Sequence, residues 1–135
     1  MAITPYLFFG GDCEEAFTTY AALMGGTIDA MLKYSDAPDG EVPDEIKNRV
    51  MHAHMTIRGT PVMASDASAE HDTPAGFAVS YEALDEADAE KVFAGLAEGG
   101  RIDQPMIETF FATKFGAVTD RFGTPWMVIA SKPMG

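Results

Sequence analysis

The chain has 135 residues, room for one ordinary domain core and too few for two independent domains of typical size. Its 9 Lys and Arg against 21 Asp and Glu give a formal net charge of −12, which repels a phosphate backbone and an anionic membrane surface alike, so nucleic acid is not expected as a partner. The opening residues MAITPYLFF lack a basic leader, no later run approaches the roughly 20 apolar residues of a membrane helix, and the lone Cys13 cannot make an internal disulfide, so the expectation is a soluble, cytoplasmic protein.

In chain order, residues 5–9 are an apolar, aromatic run that reads as a buried strand, stopped by Gly10 and Gly11. Asp12 with Glu15 is an acidic variant of the capping box, and Ala16, Phe17, Tyr20, Ala21 and Met24 recur at helical spacing until Gly25 and Gly26 end the helix. Strands are expected over residues 27–34, 49–58 and 61–65, with a solvated excursion, DAPDGEVPDE, at 36–45. A polar connection carrying His71, read as a solvated loop residue, leads to a strand at 77–81. Asp85 and Asp88 then open a second helix, whose buried stripe is Ala89, Val92, Phe93 and Leu96. Gly99 and Gly100 end it, and strands follow at 101–108, 114–119 and 126–130.

The two halves repeat one another. Gly25-Gly26-Thr27-Ile28-Asp29 returns 74 positions later as Gly99-Gly100-Arg101-Ile102-Asp103, and Gly59-Thr60-Pro61-Val62-Met63 returns 64 positions later as Gly123-Thr124-Pro125-Trp126-Met127. The chain therefore reads as one duplicated domain, module one at about 1–68 and module two at about 74–135. The fold class is α+β, tandem βαβββ modules in which each helix covers one face of an antiparallel-rich sheet. The uncovered faces are then available to enclose a cleft, within the chain or with a second subunit.

These residues carry a resemblance. PYLFF with a Gly-Gly turn before an acidic-capped helix, then MHAHMTIRGTPVMASD, then ETFFATKFGAVTDRFGTPWMV, resembles the PhnB-like branch of the vicinal oxygen chelate superfamily, across essentially the whole chain. The resemblance implies the glyoxalase/bleomycin resistance/dihydroxybiphenyl dioxygenase fold. It also implies an ancestral chemistry, in which His, Glu or Gln on the first and last strands of each module hold a divalent metal that polarises substrate oxygens. Matching the motifs puts those positions near Pro5 or Tyr6, at Met63, near Phe77 or Ala78, and at Met127. None of these is a usual hard-metal ligand, and thioether sulfur suits Mg, Mn, Fe(II) or Zn poorly. No obligatory metal or other cofactor is expected. A family label taken from a ubiquinone-pathway methyltransferase has no counterpart here, since no glycine-rich loop of Rossmann type joins a strand to a helix.

Among other candidates, His52 and His54 lie two apart on a strand, so both imidazoles project from one face and are the residues to which a metal would go if one bound. Asp66, Glu108 or Asp120 would have to supply a third ligand. Glu108, Phe110, Phe111 and Lys114 gather where two strands meet, an acid, two aromatics and a base suited to a small organic ligand. Glu108 as general base with Tyr6 as hydrogen-bond donor is the metal-free catalytic arrangement, and it requires a raised carboxylate pKa. Tyr6 and Tyr81 each have a hydroxyl to offer the cleft, Trp126 opens the last strand, and Met63 with Met127 occupy equivalent repeat positions where an apolar cleft would be lined. Cys13, beside Asp12, Glu14 and Glu15, reads as a buried small hydrophobe.

The expected function is metal-independent binding of a small organic molecule, cationic or neutral, by a homodimer. The ligand set is Tyr6, His52, His54, Met63, Glu108, Phe110, Phe111, Lys114, Trp126 and Met127. The alternatives are a metal-dependent lyase, isomerase or dioxygenase with a displaced site, and a ligand-free structural or regulatory dimer.

Overall fold

The computed structural model of the chain describes residues 3–36, 42–67 and 74–133. His71 and residues 37–41 of the acidic excursion lie outside the described residues. The chain divides into two compact units, residues 1–72 and 73–135, each a four-stranded mixed sheet with one helix among its described residues.

Unit one runs β1 (Tyr6–Phe9), α1 (Cys13–Met24), β2 (Gly26–Lys33), β3 (Val50–Ile57) and β4 (Thr60–Asp66), with a short 3-10 turn at Tyr34–Asp36. The sheet order is β1-β4-β3-β2; β1 lies parallel to β4 and the other pairs are antiparallel. Alternation decides which side chains meet the helix. Leu7 and Phe9, Ala53, Met55 and Ile57, and Val62 and Ala64 are buried, together with Ala16, Phe17, Tyr20 and Met24 of α1. Phe9 meets Phe17 edge-on at 6.4 Å between ring centroids. The intervening residues, Tyr6, Phe8, His52, His54 and Met63, occupy the helix-free face of the sheet.

The start of α1 differs from the expected capping box. Asp12 makes no side-chain cap. The carboxylate of Asp66, at the end of β4, takes over: Oδ1 accepts from the Gly11 and Cys13 amides and Oδ2 from the Val50 amide, each at 2.9 Å. Parallel pairing of Phe9 with Asp66 brings this acid to the strand-to-helix turn, where it satisfies helix-start donors that local sequence leaves open. Gly25 closes the helix in the left-handed conformation, φ 68°, and its amide donates to the Ala21 carbonyl.

Unit two runs β5 (Val79–Glu82), α2 (Glu86–Ala97), β6 (Arg101–Ile107), β7 (Ala112–Thr119) and β8 (Pro125–Ser131), in the order β5-β8-β7-β6 with β5 parallel to β8. Here Asp85 does cap its helix, accepting from the Asp88 amide at 2.8 Å. Ala89, Val92, Phe93 and Leu96 are buried as the helical spacing requires, against Trp126, Val128 and Ala130 of β8 and Val118 of β7. Gly116 is small for a reason: a Cβ there would stand 2.5 Å from Cε1 of Phe93 and 2.6 Å from Sδ of Met106. The opening strand begins at Val79, two residues later than expected, and Phe77 before it is half exposed.

Candidate functional site

Cross-strand register assembles the helix-free face of unit one. Tyr6 sits beside Met63 in the parallel β1–β4 pair, Met63 opposite His54, and His54 opposite Ala30, so a row Tyr6, Met63, His54, Ala30 crosses four strands. Tyr6 is 38% and Phe8 54% exposed, with ring centroids 5.1 Å apart, and the Tyr6 hydroxyl shares a hydrogen bond with His52 Nδ1 at 3.3 Å. His54 Nδ1 lies 2.9 Å from Oδ2 of Asp29, and the Thr56 hydroxyl donates to that same oxygen at 2.6 Å. The Thr56 and His54 hydrogen bonds hold the Asp29 carboxyl below the ordinary aspartate value.

Unit two repeats part of this plan. Asp103 is the repeat partner of Asp29, and it accepts from the Thr119 hydroxyl at 2.7 Å and from Arg101 Nε at 2.7 Å, which lowers its pKa in the same direction. Both aspartates sit at register shifts, between Ile28 and Ala30 and between Ile102 and Gln104. A bulge re-aims one side chain, and in each unit that side chain is an aspartate fixed by a threonine of the neighbouring strand. Neither aspartate was among the expected site residues, although both lie inside the GGTID and GGRID repeat.

On the helix-free face of unit two, Met127 lies between Ser80 and Ala117, and Ile129 between Glu82 and Phe115. The register thus sets Ser80, rather than Phe77 or Ala78, across from Met127. Tyr81 falls on the other face: it is buried and its hydroxyl donates to Asp88 Oδ2 at 2.7 Å, so it offers nothing to the open side. Met63 and Met127 are both half-exposed and both point away from their helix.

Five further expected residues, Trp126, Lys114, Glu108, Phe110 and Phe111, are placed by their partners. Trp126 is buried against α2 with its indole N–H donating to Asp120 Oδ2 at 2.9 Å, which makes it a core residue. Lys114 reaches Glu90 of α2 at 3.0 Å and turns away from Glu108. Glu108 pairs with Lys132 at 2.9 Å, and that ammonium holds its carboxyl below the usual glutamate value, the opposite of what a general base poised near neutrality needs. Phe110 is 91% exposed and packs edge-on with Phe111 at 5.2 Å, which in turn meets Phe115 at 5.6 Å, an aromatic chain leading to the open face. Phe115 was not among the expected residues; its alternation with the helix-packed Gly116 is the signal that finds it.

The donor set does not fit the metal of the superfamily. The repeat-equivalent positions offer Tyr6 and Met63 in unit one and Ser80 and Met127 in unit two, two hydroxyls and two thioethers in place of imidazoles and carboxylates. Among the described residues no three His, Cys, Asp or Glu side chains are grouped so as to hold a metal ion. Asp66 and Asp120, considered as third ligands for His52 and His54, spend their carboxylates on buried amides and on the Trp126 indole. Cys13 is buried, and burial first, then Asp66, Asp12 and Glu14, push its thiol up to about 12, which leaves no nucleophilic thiolate.

Two βαβββ units in tandem, each with one helix-covered and one helix-free sheet face, make the fold class of the glyoxalase/bleomycin resistance proteins. A solved glyoxylase/bleomycin resistance protein/dioxygenase domain from Frankia sp. EAN1pec shares this fold at a TM-score of 0.65, with 13% identity, over 100% of this chain and 95% of that one. Within that class, the chain belongs to the family described as 3-demethylubiquinone-9 3-methyltransferase, which it matches over residues 1–129. Protein PA1353 from Pseudomonas aeruginosa is 40% identical, with a TM-score of 0.90, over 98% of this chain and 99% of its own. A PhnB protein from Bacillus cereus, described as a putative 3-demethylubiquinone-9 3-methyltransferase, is 28% identical with a TM-score of 0.77, over 97% and 100%. Protein YjdN of Escherichia coli (strain K12) is 30% identical over 95% of this chain and 94% of its own. No helix among the described residues is long and apolar enough to cross a membrane.

Proposed function

We propose that this protein is a small-molecule binder that holds an organic ligand on a helix-free sheet face without a resident metal, and that it works as a homodimer. The observation that carries the reading is the row Tyr6, Met63, His54 with Phe8 beside it: aromatic and thioether surface, half-exposed on a rigid sheet, with a few polar atoms among it. Unit two offers a comparable surface in Met127, Ile129, Phe115 and Phe111. A net charge of −12 favours a neutral or cationic ligand over a polyanion. The catalytic alternative built on Glu108 is disfavoured by the Lys132 pair, which lowers rather than raises that carboxyl.

The test is a set of methionine methyl NMR spectra of EDTA-treated protein titrated with small aromatic molecules, toluene first. The reading expects the Met63 or Met127 methyl resonance to move while those of the core residues Met24 and Met55 stay in place. Movement only after a divalent ion is added, or none at all, would reject it.

A further inference from the structure

The tautomer of His54 is fixed by its neighbour. Asp29, its carboxyl held low by Thr56 and His54 itself, is ionised and has only acceptor oxygens, so His54 Nδ1 at 2.9 Å must be the nitrogen that carries the proton. A neutral imidazole with its proton on Nδ1 has a lone pair on Nε2. That Nε2 atom has no hydrogen-bond partner among the described residues. It is presented from a half-exposed ring on the helix-free face, with Met63 on one side and Ala30 on the other. His52 lacks such a determination, because its Nδ1 meets a hydroxyl that can both donate and accept.

We propose that His54 Nε2 is the hydrogen-bond acceptor of the unit-one face, and that the ligand class is an apolar or aromatic body bearing one hydroxyl or amine donor. The body packs on Tyr6, Phe8 and Met63, and the donor is received by His54. Thr56 and Asp29 are positioning residues: Thr56 holds the carboxylate, the carboxylate holds the ring, and neither needs to touch the ligand. The small residue at Ala30 leaves room beside the acceptor, and a carboxylate or phosphate in that place would meet a lone pair and the nearby Asp29 charge.

This inference rests on the small-molecule reading, and its test separates the two. Full-length protein at pH 8.5 is titrated with 4-methylphenol and with toluene, which differ by one hydroxyl. Binding is followed by the Met63 methyl and by 15N-imidazole resonances. The expected result is at least tenfold tighter binding of 4-methylphenol, with a His54 Nε2 shift on titration and Nδ1 as the protonated nitrogen in the free protein. In His54→Phe the preference for the phenol is lost while toluene still moves Met63. Equal binding of both probes to the native protein, or a free protein with the proton on Nε2, overturns this inference and leaves the binding reading in place. If the probes move Met127 and not Met63, this inference falls alone; if neither methyl moves, the binding reading falls and this inference falls with it.

Discussion

Replacing Asp66 should open unit one, and Cys13 reports the opening. Asp66 is 1% exposed and its two carboxylate oxygens serve three amides, those of Gly11, Cys13 and Val50. A hydrogen bond to a charged group contributes about 1.5–3 kcal/mol, and a buried donor left unpaired costs about 1–3 kcal/mol. Some of that is recovered when the turn relaxes or admits water, so Asp66→Ala is expected to cost about 4 kcal/mol. Asp66→Asn keeps one acceptor oxygen for Gly11 and Cys13 but turns an NH2 towards the Val50 amide, and about 2 kcal/mol is expected. Cys13 has no exposed surface in the native state, so thiol labelling requires the helix start to open. At about 1.4 kcal/mol per factor of ten, labelling should accelerate by roughly a thousandfold in the alanine variant and by roughly thirtyfold in the asparagine variant. Labelling rates in native buffer, normalised to those in urea, give the comparison, and urea midpoints give the stability independently. An alanine variant within about 1 kcal/mol of the parent, with unchanged labelling, would refute the view that Asp66 caps this helix.

Two further outcomes follow from the titrating groups. The Cys13 thiol, raised to about 12 from 9.0, stays protonated in the folded chain while the unfolded chain loses its proton. Stability is therefore lost as pH rises above about 9, and Cys13→Ala should flatten that alkaline slope in urea midpoints taken between about pH 8 and 10.5. Asp29 and Asp103 shift the other way: their folded pKa values lie below 3.8, so their contribution is present above that value and is lost as pH falls through the lowered ones. Asp29→Asn and Asp103→Asn should be less stable than the parent at pH 7, with the difference shrinking as pH falls below 3.8 through the lowered values, which acid denaturation curves will show.

The parts of the fold encoded locally were legible in the sequence. Helical spacing from Ala16 to Met24, the stripe Ala89 to Leu96 and the glycine stops all appear where the periodicity puts them. What the sequence hid depends on pairing between distant segments. Asp66 caps α1 from the end of β4, more than fifty residues away, and nothing in the Asp12–Glu15 spacing announces that the local acid is displaced. The two opening strands look alike, yet Tyr6 pairs with Met63 while Tyr81 pairs with Val128, and that one-residue difference puts the two hydroxyls on opposite faces. Lys114 and Glu108 are near neighbours in sequence, but a register shift between Ala112 and Lys114 sends the lysine to α2. The Asp29–His54 and Asp103–Arg101 contacts depend on bulges in β2 and β6, which the repeat marks without revealing.

The central claim is that a small organic molecule binds to an open sheet face without help from a metal. Native mass spectrometry of protein purified without chelator or affinity metal, sprayed alone and with 4-methylphenol, tests it in one experiment. The account predicts a dimer carrying no stoichiometric divalent ion that gains the mass of the phenol, before and after EDTA treatment alike. One divalent ion per chain, surviving desalting and required for the adduct, would contradict it.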